Sequence, residues 1–147
     1  MNEKAVLISI RKKWNDLIKS GEKTVEARKT VPKLPLPYKC YIYEPKSGGG
    51  SGKVIGHFIC NKHIWVVSHP AVFARHDLYY ERAILDACLT IEEAKEYAAG
   101  KEVYGFCITE LVIYDEPIEL HAFYSATTGT RITRPPQSWC YVDELEE

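Results

Sequence analysis

Apolar positions recur along the chain with strand-like or helix-like periods, and those periods divide it into elements. Val6-Leu7-Ile8-Ser9-Ile10 is a short apolar run that predicts a buried strand. Trp14, Leu17 and Ile18 follow at i, i+3 and i+4, with Lys12, Lys13, Asp16 and Lys19 on the other face. That spacing predicts an amphipathic helix. Gly21 ends it, because glycine readily takes the left-handed backbone of a helix terminus. From residue 23 the chain alternates: Val25 and Ala27 point one way, Thr24, Glu26 and Arg28 the other. Pro32, Pro35 and Pro37 forbid regular structure and predict a rigid extended loop.

Cys40 to Glu44 reads as a strand on its β-branched and aromatic content. The run Ser47 to Gly52 predicts a flexible turn, and Val54 to Cys60 the returning strand. Gly56 inside that strand signals a bulge or a close backbone approach. Residues 66–89 carry no clear period, although Tyr79 to Cys88 would suit a helix. Thr90-Ile91-Glu92-Glu93 is a capping-box sequence. Ile91, Ala94, Tyr97 and Ala98 then form an apolar helix face that Gly100 closes. Val103 to Tyr114 predicts a long strand stopped by Asp115-Glu116-Pro117, and Cys140-Tyr141-Val142 a last one. Asp143 to Glu147 is expected to be a frayed, solvated acidic end. Five or six strands and two or three short helices, without strict βαβ alternation, disfavour a Rossmann-like sheet. They predict an α+β fold: a small mixed β-barrel with helices packed outside.

The length of 147 residues suits a single domain spanning 1–147 with one core. No apolar stretch is long enough to cross a bilayer. The first apolar run ends at Arg11-Lys12-Lys13 without a small-residue cleavage site, so it reads as a strand and not as a signal peptide. Five cysteines at irregular spacing, three of them in strand-like contexts, argue for buried thiols in a reducing cytoplasm and against a disulfide framework. The net charge of -1 conceals an asymmetry. Residues 1–53 hold 12 Lys/Arg and 5 Asp/Glu, a net +7, whereas residues 54–147 hold 7 and 15, a net -8. A basic half favours phosphate-bearing partners unless the two halves neutralise each other across the fold.

Several motifs fail their own chemistry. The glycine run before Lys53 lacks the P-loop pattern: Ser47 stands at its first position, Val54 follows the lysine, and the loop joins two strands. Cys60-x-x-His63, with His57 and His69 nearby, has no second ligand pair, so neither a metal nor a cofactor is expected. No Ser-His-Asp or Cys-His order can be argued. The segment Gly21 to Arg28 differs, because it sets a lysine, a carboxylate and a guanidinium within six positions of one another after a helix stop. Alternation puts Glu26 and Arg28 on one face, where they would pair. Lys23 falls on the other face unless a twist after Gly21 turns it. Charge alone leaves both a functional site and an ordinary ion-paired strand open.

Taken together, Ile8-Ser9-Ile10, the helix after it, Ser20 to Arg28 with its Gly-x-Lys-x-x-Glu-x-Arg core, Tyr41-Ile42-Tyr43 and Val54-Ile55-Gly56 resemble the ASCH domain, a relative of the PUA RNA-binding domain. Tyr104-Gly105-Phe106, Val112 to Pro117 and Pro135 to Val142 resemble small phage- and prophage-type members. The resemblance covers most of the chain and least of 61–89. It implies a PUA-like β-barrel with a cleft beside the first helix that binds RNA, a nucleoside or a nucleotide. Some relatives are amidohydrolases acting on acetylated cytidine, and ribonuclease activity is reported for others. In the amidohydrolase branch the lysine at the position of Lys23 is catalytic and a threonine follows three residues later; here that place is held by Glu26. The expected site is therefore Lys23 and Glu26 as catalytic candidates, with Ser9, Arg28, Ser138, Trp139 and Tyr141 as ligand-binding candidates. Lys23 would act as base or nucleophile, Arg28 would hold an anion or a base edge, and Trp139 or Tyr141 would stack a base.

Overall fold

The computed structural model describes residues 3–68 and 79–146. Ten elements follow in order: β1 (Lys4–Ser9), α1 (Lys12–Ser20), β2 (Val25–Arg28), β3 (Tyr38–Glu44), β4 (Lys53–Val67), α2 (Glu81–Asp86), α3 (Ile91–Ala98), β5 (Val103–Ile118), a 3-10 turn (Leu120–Ala122) and β6 (Trp139–Asp143). The strands form one mixed sheet in the order β2-β5-β4-β3-β1-β6. β1 runs parallel to β3, and every other neighbour pair is antiparallel.

The expected barrel is not closed. Among the described residues, no backbone ladder joins β2 to β6, the two ends of the order. The chain leaves β2 at Arg28 and runs into Pro32, Pro35 and Pro37, which have no N–H to give a closing ladder. β4 and β5 are longer than their sequence patterns indicated and carry four register shifts between them. One shift is eased by Glu110, which takes φ 48 within β5. Gly56 meets the expectation of a close approach: a Cβ there would lie 2.2 Å from the Val112 carbonyl oxygen.

The core has three parts. Ile8, Ile42, Phe58 and Phe106 centre the largest, between the sheet and α1. Val25, Val66 and Val103 lie against α2 and α3. Leu7, Tyr41, Phe123 and Val142 fill the opposite face of β1 and β3. On α1, Ile18 is buried, but Trp14 and Leu17 are only half-buried and Asn15 is buried instead. Asn15 is tolerated there because its amide donates to the Ile10 carbonyl at 2.7 Å and to Glu44 at 3.2 Å. On α3 the Thr90–Glu93 capping box forms, and only Ala94 and Ala98 are buried. Ile91 and Tyr97 stay exposed.

The Gly-rich turn is pinned by Glu44, whose carboxylate accepts from the Ser51 N–H at 2.9 Å. The tail expected to fray at Asp143 is tied down further along. Asp143 ends β6, the Glu144 N–H donates to the Glu3 carbonyl at 2.7 Å, and the Leu145 N–H donates to the Tyr41 hydroxyl at 3.0 Å. All five cysteines are free thiols; Cys40 and Cys60 are fully buried. No described helix is long and apolar enough to cross a membrane.

Candidate functional site

The site begins with the helix stop. Gly21 takes φ 84, and its N–H closes on the Ile18 carbonyl. The Lys23 N–H then bonds back to Leu17 at 3.0 Å, and the Thr24 N–H bonds to Asp86 at 2.9 Å. These bonds turn Lys23 inward before β2 begins at Val25, so strand alternation does not govern it. Its ammonium donates to the Ala87 carbonyl at 2.6 Å and sits 3.4 Å from Glu26 Oε1. The Trp14 ring lies 4.9 Å away. On β2, Glu26 and Arg28 share a face as the alternation required, with Arg28 Nε donating to Glu26 Oε2 at 2.8 Å. Lys23, Glu26 and Arg28 side chains are 3%, 7% and 11% exposed, so this is a buried charge cluster and not a surface ion pair.

Burial pushes the Lys23 amine below its ordinary value. Glu26 opposes that shift, and Arg28 adds to it. A larger share of neutral amine is therefore present than for a solvated lysine at the same pH.

The cluster floors a cleft of about 820 Å³. Ser9 and Ser138 lie in its lining. The Ser9 hydroxyl donates to the Pro136 carbonyl at 2.6 Å, and the Ser9 N–H to the Ser138 carbonyl at 3.0 Å, which fixes the segment before β6 onto β1. Arg28 reaches the same segment. Its Nη1 donates to the Ser138 carbonyl at 3.3 Å and to the Ser138 hydroxyl at 3.0 Å, and its Nη2 to the Ser9 carbonyl at 2.7 Å. The guanidinium thus spans the gap that the sheet leaves open.

Trp139 and Tyr141 do not line the cleft. They stand on the other face of β6 from Ser138, 5.2 Å apart and edge to face. The Trp139 indole donates to the Thr30 hydroxyl at 3.1 Å, and the Tyr141 hydroxyl accepts from the Lys33 N–H at 2.9 Å. Both hold the proline loop. The aromatic walls are instead Trp14 and Tyr97, with Leu89 beside them. The sequence pattern assigned Trp14 and Tyr97 to buried helix faces. A face whose buried members are two alanines, Ala94 and Ala98, leaves the larger Tyr97 ring overhanging, and that was the available signal. Glu93, read in the sequence only as part of the capping box, and Glu96, which no motif singled out, also reach the cleft.

The histidines near Cys60 diverge. His57 Nδ1 is 2.6 Å from the Tyr114 hydroxyl and His63 Nε2 2.7 Å from the Tyr38 hydroxyl. His69 lies outside the described residues. Among the described residues, no three His, Cys, Asp or Glu side chains converge as a metal ion requires.

The six-stranded mixed sheet with its three helices is the fold of ASCH proteins of known structure. The crystal structure of ASCH from Zymomonas mobilis matches with a TM-score of 0.64 at 22% identity, over 93% of this chain and 86% of that one. A tyrosine-to-phenylalanine mutant of that protein, ZmASCH, matches at 0.65 and 22%, over 95% and 90%. A serine-to-alanine mutant matches at 0.66 and 21%, over 93% and 87%. No family model and no curated protein matches the sequence. The likeness therefore carries the fold, and the chemistry rests on the residues of the cleft.

Proposed function

We propose that this chain is an ASCH-family protein that binds RNA, through a single nucleoside or a short single strand, in the cleft floored by Lys23, Glu26 and Arg28. The observation that carries this is the pairing of aromatic walls with a polar floor. Trp14 and Tyr97 flank the opening, and the Glu26 carboxylate lies at its base between two cations. Planar bases gain from stacking on such rings irrespective of sequence, and the floor supplies directional hydrogen bonds. The negative charge of residues 54–147 disfavours a tight general nucleic-acid surface, and it favours a ligand no larger than the cleft. Titration with nucleosides and short RNA oligomers, followed by tryptophan fluorescence, tests the proposal. Saturable binding that Trp14→Ala weakens supports it; no binding at low salt overturns it.

A second reading is hydrolysis of a modified nucleoside or of RNA, with Lys23 as base or nucleophile. It is favoured by the lowered Lys23 amine at the cleft floor, beside a carboxylate able to move a proton. This reading predicts turnover of an acylated nucleoside or of short RNA that rises with pH through the lowered Lys23 value. Lys23→Ala would abolish that turnover.

A further inference from the structure

We propose that Arg28 is a closed clasp and not a ligand group, so that the cleft floor selects a base edge bearing an N–H donor and gives no seat to an anion. The proposal rests on the nucleoside reading for its ligand and on a donor count for Arg28. A guanidinium has five N–H groups. Nε donates to Glu26, Nη1 to the carbonyl and hydroxyl oxygens of Ser138, and Nη2 to the Ser9 carbonyl. Nη2 also lies 2.7 Å from Glu26 Oε2. Five N–H groups meet five contacts with protein oxygens. A phosphate or carboxylate could be held only by breaking bonds that tie β2 to β1 and to the segment before β6.

The same count shows what remains for a ligand. A carboxylate accepts at about four positions. Glu26 Oε2 faces Arg28 twice, while among the described residues Oε1 takes only the longer contact from Lys23 and keeps an acceptor site. The Ser138 hydroxyl accepts from Arg28, and among the described residues nothing receives its own proton. Glu26 and Ser138 are held by opposite edges of one guanidinium, so the floor offers an acceptor at Glu26 and, separated from it by the guanidinium, a donor at Ser138. The complement of the Glu26 acceptor is a base N–H donor, as on an exocyclic amine. Arg28 acts through Glu26 and Ser138 and is a positioning residue.

Side-chain nitrogen NMR of the full chain tests this, with inorganic phosphate, adenosine, cytidine and the analogues of both dimethylated on the exocyclic amine as probes. Arg28→Lys assigns the Arg28 signals by their loss. The expected result has three parts: slowly rotating Arg28 Nη–H signals in the free protein, no shift on adding millimolar phosphate, and dimethyl analogues that bind about tenfold or more weakly than the parents. Phosphate shifting the Arg28 signals would overturn the clasp. Equal binding of parent and dimethyl analogues would overturn the donor-edge selection while the nucleoside reading stood. Failure of every nucleoside to bind, with Arg28 unmoved by phosphate, would overturn the nucleoside reading and the edge selection and support the clasp.

Discussion

Two buried carboxylates, Glu26 and Glu44, sit in the same small protein with opposite surroundings. Glu44 on β3 is met by neutral donors, the Asn15 amide at 3.2 Å and the Ser51 N–H at 2.9 Å. Those bonds join the N-terminal half of α1 to the Gly-rich turn, and Glu44 does not face the cleft. Glu26 on β2 is met by Lys23 and Arg28, and it opens onto the cleft. Neutral donors suffice where a carboxylate serves only to pin chain segments. Two cations around a third buried charge cost desolvation, and their arrangement at the base of an open cleft suits a ligand.

The largest effect that separates the two is on stability. Glu26→Leu leaves Lys23 and Arg28 buried without their shared partner, and it is expected to cost about 3–5 kcal/mol. Glu44→Gln keeps an acceptor for Ser51 and removes a charge that, among the described residues, is met by cations only at longer range, from Lys12, so it is expected to cost about 1 kcal/mol. Urea unfolding of both variants checks this; equal losses would erase the distinction.

The aromatic residues give the next largest contrast. Trp14→Ala should weaken nucleoside binding by about 1–3 kcal/mol, the scale of one base–aromatic contact. Trp139→Ala should leave affinity intact and lower the melting temperature, because that ring holds the proline loop through Thr30. Paired binding isotherms and thermal melts decide this, and a Trp139 effect on affinity would return that ring to the ligand.

The part of the site legible in the sequence is the part set by local rules. The glycine stop and the period of a strand put Glu26 and Arg28 on one face without any distant residue. Lys23 was ambiguous because its place depends on Ala87, just past α2, and on the Thr24 bond to Asp86 at the end of α2, more than sixty residues along the chain. The side of β6 on which Trp139 and Tyr141 stand was not legible, because the face of β6 that meets the cleft depends on how the sheet curls, which a five-residue strand does not encode. The missing closure between β2 and β6 had a visible cause in the three prolines. The tail was misjudged because its charges read as solvated, whereas Lys39 pairs with Glu144 at 2.8 Å.

The smallest expected effect concerns pH. The folded Lys23 value lies below the ordinary 10.5, so between the two the unfolded chain holds more protons and stability rises with pH. Unfolding free energies of the parent minus those of Lys23→Met should rise over that interval. A flat difference would mean that burial does not perturb the amine.

The central claim is that Glu26, and not merely a buried carboxylate, carries ligand recognition. Its most direct test is one set of nucleoside-binding isotherms for the parent chain, Glu26→Gln and Glu44→Gln at matched pH and low salt. Affinity is expected to fall by about tenfold or more in Glu26→Gln, which loses a charged acceptor at the floor, and to stay unchanged in Glu44→Gln. Equal affinities in all three proteins, or a loss confined to Glu44→Gln, would contradict it.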